Sequence, residues 1–249
     1  EEGVSIDLNV ARAKARVKEA HVQSLSGPIR SAPSPEAPDQ VRIGPLAGEM
    51  GGGRLVVDAQ AGGESGAWTA SVELKRALLQ NLFPGDKEGD EPASTGRVDA
   101  ALHLRGMAGS TASTMGVGDF RVTEGHLRTL PALVAIQQVL HLSSPVVGAI
   151  AFVDVDFLIQ GTTANLDRIL LAAGPWGGGG FSLEGSGGLD LKTFAVDARM
   201  RPRGAWPILS DVIGAIQDQF YQVSMTGHVG DPKVDLVLFP GTASARQRN

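Results

Sequence analysis

The chain has 249 residues, 42% hydrophobic, 20% charged and 5% aromatic, the proportions of a globular protein with a real core. A net charge of −5 and an isoelectric point near 5.5 argue against a nucleic-acid partner, since neutralising phosphates needs a basic surface. No Cys is present, which excludes disulfides, thiolate metal sites and a cysteine nucleophile.

The 33 glycines with few aromatics favour strands and turns over helical bundles. The first residues, EEGVSIDLNV, hold neither a basic n-region nor an apolar h-region. No apolar window approaches the roughly 20 residues that span a bilayer. The expectation is a fragment whose membrane anchor lies upstream.

In chain order, residues 1–25 hold two alternating runs, VSIDLNV and AKARVKEAHVQSL, read as antiparallel strands that either pair with the later sheet or end an upstream region. Residues 26–40 carry four of the 14 prolines and read as a linker or exposed loop. Residues 41–240 are expected to form the main β domain, and 241–249 a disordered tail. Strands are expected at 53–60 and 67–74. A short helix is expected over Lys75–Phe83, with Leu78, Leu79 and Leu82 at helical spacing and Pro84–Gly85 ending it.

An acidic loop then leads to a strand at 96–106, a Gly-bounded strand at Asp119–Thr123 and a turn at Glu124–Gly125. From Thr129 to Leu142 the stripe Leu133, Ile136, Val139, Leu140 predicts an amphipathic helix with Pro131 in its first turn. Ala151–Arg201 contains four alternating runs, the mark of half-buried strands. Val153, Val155, Phe157 and Ile159 fall on one side of the first run, and Asp154, Asp156 and Leu158 on the other. Leu189 and Leu191, then Phe194, Val196, Ala198 and Met200, repeat the split. A second helix is expected over Trp206–Phe220, with Leu209, Val212, Ile213 and Ile216 on its stripe. Strands at 222–229 and 233–239 close the chain.

Chemical motifs are sparse. The five His, at 21, 103, 126, 141 and 228, form no HExxH or His-x-His pair, and no Ser sits in a GxSxG elbow. The run Gly177–Gly180 lacks the Lys and Ser/Thr of a phosphate loop. Gly116-Val117-Gly118 lacks the third glycine of a dinucleotide site. Asp154, Asp156 and Asp167 could cluster for acid/base work or cation binding, but alternating Asp on the solvated face of a strand is ordinary and guards against sheet aggregation. No cofactor and no catalytic residue is expected.

The succession GVGDFRVTEGHLRTLPALVAIQQVL, FVDVDFLIQGTTANLDRILLAAG, GFSLEGSGGLDLKTFAVDARMRPRG, WPILSDVIGAI and VSMTGHVGDPKVDLVLFP, over residues 96–240, resembles the C-terminal region of AsmA-like proteins. The resemblance implies a periplasmic protein tethered to the inner membrane. It also implies a curved sheet whose apolar groove, as in TamB-like proteins, shields acyl chains of phospholipids moving toward the outer membrane.

The fold expected is mainly β: a curved antiparallel sheet, an open groove or half-barrel, with two or three short amphipathic helices. Its groove would be lined by Val153, Val155, Phe157, Ile159, Leu189, Leu191, Phe194, Val196 and Met200. Leu133, Ile136, Val139, Leu140, Leu209, Val212, Ile213 and Ile216 would plug it. Phospholipid acyl chains and other envelope proteins are the expected partners, and the function non-enzymatic lipid transport or outer-membrane assembly. The rival reading is a closed β-sandwich that binds proteins rather than lipid.

Overall fold

A computed structural model describes residues 6–17, 20–31, 40–63, 66–82, 87–88, 91–92, 94–127, 136, 150–173, 182–203 and 221–238. The strands are β1 (Ile6–Val17), β2 (Ala20–Ser31), β3 (Val41–Met50), β4 (Gly53–Gly62) and β5 (Ala67–Leu78), then one turn of helix, α1 (Leu79–Leu82). Two-residue strands β6 (Lys87–Glu88) and β7 (Glu91–Pro92) pair only with each other. The chain continues with β8 (Ser94–Met107), β9 (Ser110–Leu127), β10 (Ile150–Gln160), β11 (Thr163–Ala173), β12 (Ser182–Asp190), β13 (Ala195–Arg203), β14 (Tyr221–His228) and β15 (Asp231–Leu238).

Apart from β6 and β7, all of these form a single 13-stranded sheet in which each strand lies beside the next in sequence. Every pairing is antiparallel. The sheet is mainly β in the plainest sense and does not close: β1 and β15 each have one neighbour among the described residues. Short reversals explain the order, because a tight turn can only return the chain antiparallel to the strand it has just left. Register shifts interrupt pairings along the sheet, for example between Leu74 and Ala77 in β5 and between Leu166 and Ile169 in β11, and each bulge bends its strand and adds twist.

Directly opposed residues in an antiparallel pair share a face, so the registers define rows running across the sheet. One row is Ala77, Val98, Val122, Val153, Leu171, Leu183, and every member is at most 8% exposed. Another row, Leu46, Val57, Val72, Leu102, Gly118, Phe157, Leu166, Gly187, Ala198, Met225, Val234, runs from β3 to β15. Burial here is uneven: Val57, Val72, Leu102, Phe157, Leu166 and Met225 are only half-buried. The alternating period of the strands thus produces one apolar face, sealed along one row and partly open along the other.

α1 closes one end of this face. Leu79 and Leu82 are buried in the core, and the turn is held to the β3–β4 hairpin by hydrogen bonds from Leu78 N–H (2.8 Å) and Asn81 Nδ2 (3.3 Å) to the Gly51 carbonyl.

Several expectations from the sequence are corrected. The helix expected over Lys75–Phe83 forms only as α1, Leu79–Leu82, and the residues before it are strand as far as Leu78. Arg76, at φ 57°, forms a bulge whose N–H donates to Asp99 Oδ1 at 2.8 Å, so Leu74 and Ala77 reach the same apolar face with two residues between them. The linker assigned to 26–40 is strand β2 as far as Ser31. Pro28 is tolerated because the ladder to β3 shifts register between Ser26 and Ile29, where a missing N–H costs little. The first strands therefore belong to the same sheet as the rest of the chain.

The turn at Glu124–Gly125 is an irregularity inside β9, with Glu124 at φ 53°, and the strand at Asp119–Thr123 extends from Ser110 to Leu127. The helices expected over 129–142 and 206–220 lie outside the described residues except for Ile136, which is 1% exposed and part of the core. The tail 241–249 also lies outside them.

Candidate functional site

The four runs of Ala151–Arg201 become β10 to β13 and place most of the expected groove residues on the apolar face. Val153 and Ile159 are buried at 8% exposure, while Val155 and Phe157 are half-buried. Val153 pairs across to Val122 and Leu171, Val155 to Phe120 and Ile169, Phe157 to Gly118 and Leu166, and Ile159 to Gly116 and Ala164. Leu189 and Val196 are opposed on β12 and β13, and Met200 is fully buried opposite Gly185 and Val223.

Leu191 and Phe194 do not join them. Both lie in the turn between β12 and β13, 36% and 43% exposed. Asp190 organises that turn by accepting hydrogen bonds from Lys192 N–H and Thr193 N–H, and the Phe194 ring meets His228 edge-on at 6.2 Å. Alternation counted through a turn loses its parity, which is why these two were misassigned. Of the plug residues, Ile136 packs in the core; Leu133, Val139, Leu140, Leu209, Val212, Ile213 and Ile216 lie outside the described residues.

Glycines shape the middle of the apolar face. A Cβ on Gly118 would run into the Phe157 ring and come 2.8 Å from the Ala101 carbonyl oxygen, so Phe157 lies in space that the glycine leaves. Gly185, beside the backbone of Arg199 and Met200, gives β12 and β13 the same close approach.

The opposite face carries the charges. Asp154 is 3% exposed, which corrects its expected place on the solvent side of the sheet. Arg121 on β9 and Arg168 on β11 flank it, Arg121 Nε donating to Oδ1 at 3.1 Å and Arg168 Nη2 to Oδ2. Arg168 Nε also donates to Asp156 Oδ2 at 2.8 Å. These carboxylates, above all the hydrogen-bonded Asp156 and then Asp154, raise the Arg168 pKa above its ordinary value. Among the described residues no group of three or more His, Asp or Glu is arranged to hold a metal ion; Asp167 stands exposed beside the β11 bulge.

The same face has a depression, and a second adjoins it at the hairpin ends of β9, β10 and β11. One, of about 650 Å³, lies over β4, β5, β8, β9 and β10, with His103, Arg105, Met115, Val117 and Leu158 in its lining. The other, of about 730 Å³, is lined by Thr111, Ser113, Thr114, Thr162, Thr163 and Lys192 among others. Met115 and Gln160 line both. Met115, Val117 and Leu158 are 45%, 49% and 37% exposed, an exposed apolar patch on the face that carries the charges. The sequence signal for it was Leu158 at the parity of Asp154 and Asp156, with Val117 between two glycines.

No protein-family model, curated protein or solved structure matches the chain. Among the described residues no helix is long and apolar enough to cross a membrane.

Proposed function

We propose that the chain is a non-enzymatic section of a bacterial envelope protein, whose apolar sheet face shields acyl chains during phospholipid transport or outer-membrane assembly. In this reading it works in the periplasm, tethered to the inner membrane by a segment upstream and in contact with other envelope proteins. The observation that supports it is the half-buried row through Val57, Val72, Leu102, Phe157, Leu166 and Met225, an apolar strip crossing the sheet without a full cover. Acyl chains need no polar constellation: each CH₂ taken from water contributes about 0.8 kcal/mol. The AsmA-like motif order accords with this.

The second reading, a closed core in a module that binds proteins, draws on the fully buried row from Ala77 to Leu183. Native mass spectrometry separates the two. The chain exported to a bacterial periplasm and purified without detergent should carry phospholipid adducts, and Phe157→Glu should lose them while keeping its circular dichroism. A wild-type protein free of adducts would overturn the lipid reading and leave the closed core.

A further inference from the structure

We propose that the polar face holds a second, separate site for a single-chain amphiphile with a phosphate headgroup, seated across the two adjoining depressions. It lies on the side of the sheet opposite the apolar rows and does not rest on the reading of those rows. Register sets its layout. Val117 is opposed to Leu158 and to His103, and Met115 to Gln160 and to Arg105, so all six side chains leave the sheet on the same side.

Three large apolar side chains exposed together on a charged sheet face are unusual where nothing covers them. Here they line a depression of about 650 Å³, within the range of small-molecule sites. That volume and lining suit an alkyl chain.

The neighbouring depression changes character at Met115 and Gln160, which both share. Beyond them the lining turns to hydroxyl-bearing residues, Thr111, Thr114, Thr162 and Thr163, with Lys192 beside them; the Ser113 hydroxyl there already donates to the Ser110 carbonyl at 2.7 Å. Arg105 flanks the junction from the other side, directly across from Met115, and among the described residues no carboxylate is paired with it. The one carboxylate lining the first depression, Asp58, is paired with Arg42 at 3.3 Å.

Hydroxyl donors with two cations call for an acceptor-rich anion, and phosphate offers several acceptor oxygens to such a set. The alkyl chain gives the apolar patch its cover. An anion alone leaves Met115, Val117 and Leu158 bare, and an uncharged amphiphile leaves Arg105 without a counter-charge.

The test is isothermal titration calorimetry of the whole chain with dodecyl phosphate below its micelle concentration, compared with dodecyl maltoside and with inorganic phosphate. Dodecyl phosphate should bind at least tenfold more tightly than either. The double variant Arg105→Gln, Lys192→Gln should lose tenfold or more, and so should Val117→Asp; all three positions are on the surface, and an unchanged melting temperature verifies the fold. Phe157→Glu, on the other face, should bind dodecyl phosphate normally even where it loses phospholipid adducts. Equal binding of the phosphate and maltoside heads, full retention in Val117→Asp, or no binding of dodecyl phosphate would each overturn the proposal.

Discussion

Asp154 on β10 stands directly across from Arg121 on β9, and its carboxylate, at 3% residue exposure, is closed from the other side by Arg168 of β11. A carboxylate taken out of water is tolerable only when charged partners replace its hydration. The Arg side chains are themselves 46% and 43% exposed, so each keeps part of its own hydration. The three strands are therefore joined by a charge that needs both neighbours, on the face opposite the apolar rows.

Removing one arginine should be mild and removing both severe. Arg121→Gln leaves Asp154 with Arg168 and is expected to cost about 1 kcal/mol, whereas Arg121→Gln with Arg168→Gln strands a buried carboxylate and should approach about 3 kcal/mol, the scale of a broken buried pair. Urea denaturation of the single and double variants measures the difference. Simple additivity of the two single changes would show that Asp154 does not depend on them jointly.

Phe157 and Gly118 should couple. Gly118→Ala forces a Cβ against the Phe157 ring and the Ala101 carbonyl and is expected to destabilise by about 1–3 kcal/mol, as overpacking does. Combining it with Phe157→Leu should recover part of that loss, because the ring is one of the two obstacles. A double-mutant cycle by chemical denaturation would read no coupling if the carbonyl alone sets the cost.

The apolar face should respond according to burial. Met200, fully buried on β13, should lose about 2–5 kcal/mol on Met200→Ala, the cost of a cavity in a packed core. Val117→Ala on the other face, at 49% exposure, should stay within about 0.5 kcal/mol of wild type. Thermal and urea unfolding of both variants gives the comparison, and a Met200→Ala protein as stable as wild type would mean that this row is not packed.

The Asp190 turn should weaken in acid. Thr193 N–H, at 2.7 Å, and the Thr193 hydroxyl, at 2.9 Å, donate to the Asp190 carboxylate, with Lys192 N–H a smaller contributor, and they hold its pKa below the ordinary 3.8. A group whose folded pKa is depressed adds stability that is fully present above its unfolded value and lost as pH falls through its folded value. The stability advantage of wild type over Asp190→Asn should therefore be constant at neutral pH and shrink below about pH 4. An advantage independent of pH in denaturation series from pH 7 to 3 would show that the ionised carboxylate is not what holds the turn.

The alternation of β10 to β13 was legible in the sequence because a two-residue period is a local property of the chain. Val153, Val155, Phe157 and Ile159 declare their shared side of β10 from spacing alone, and Val196 and Met200 theirs of β13. The antiparallel class was legible too, since short turns dictate the return direction. Tertiary structure alone decided three things. Bulges at Arg76 and around Pro28 carried strands through segments whose composition mimics a helix or a linker, because the pairing partner, not the local residues, completes the backbone hydrogen bonds. Burial of Asp154 came from arginines 33 positions before it and 14 after it in the chain. The exposed patch of Met115, Val117 and Leu158 exists only where β9 and β10 lie in register, since a face is shared across strands and no single strand encodes it.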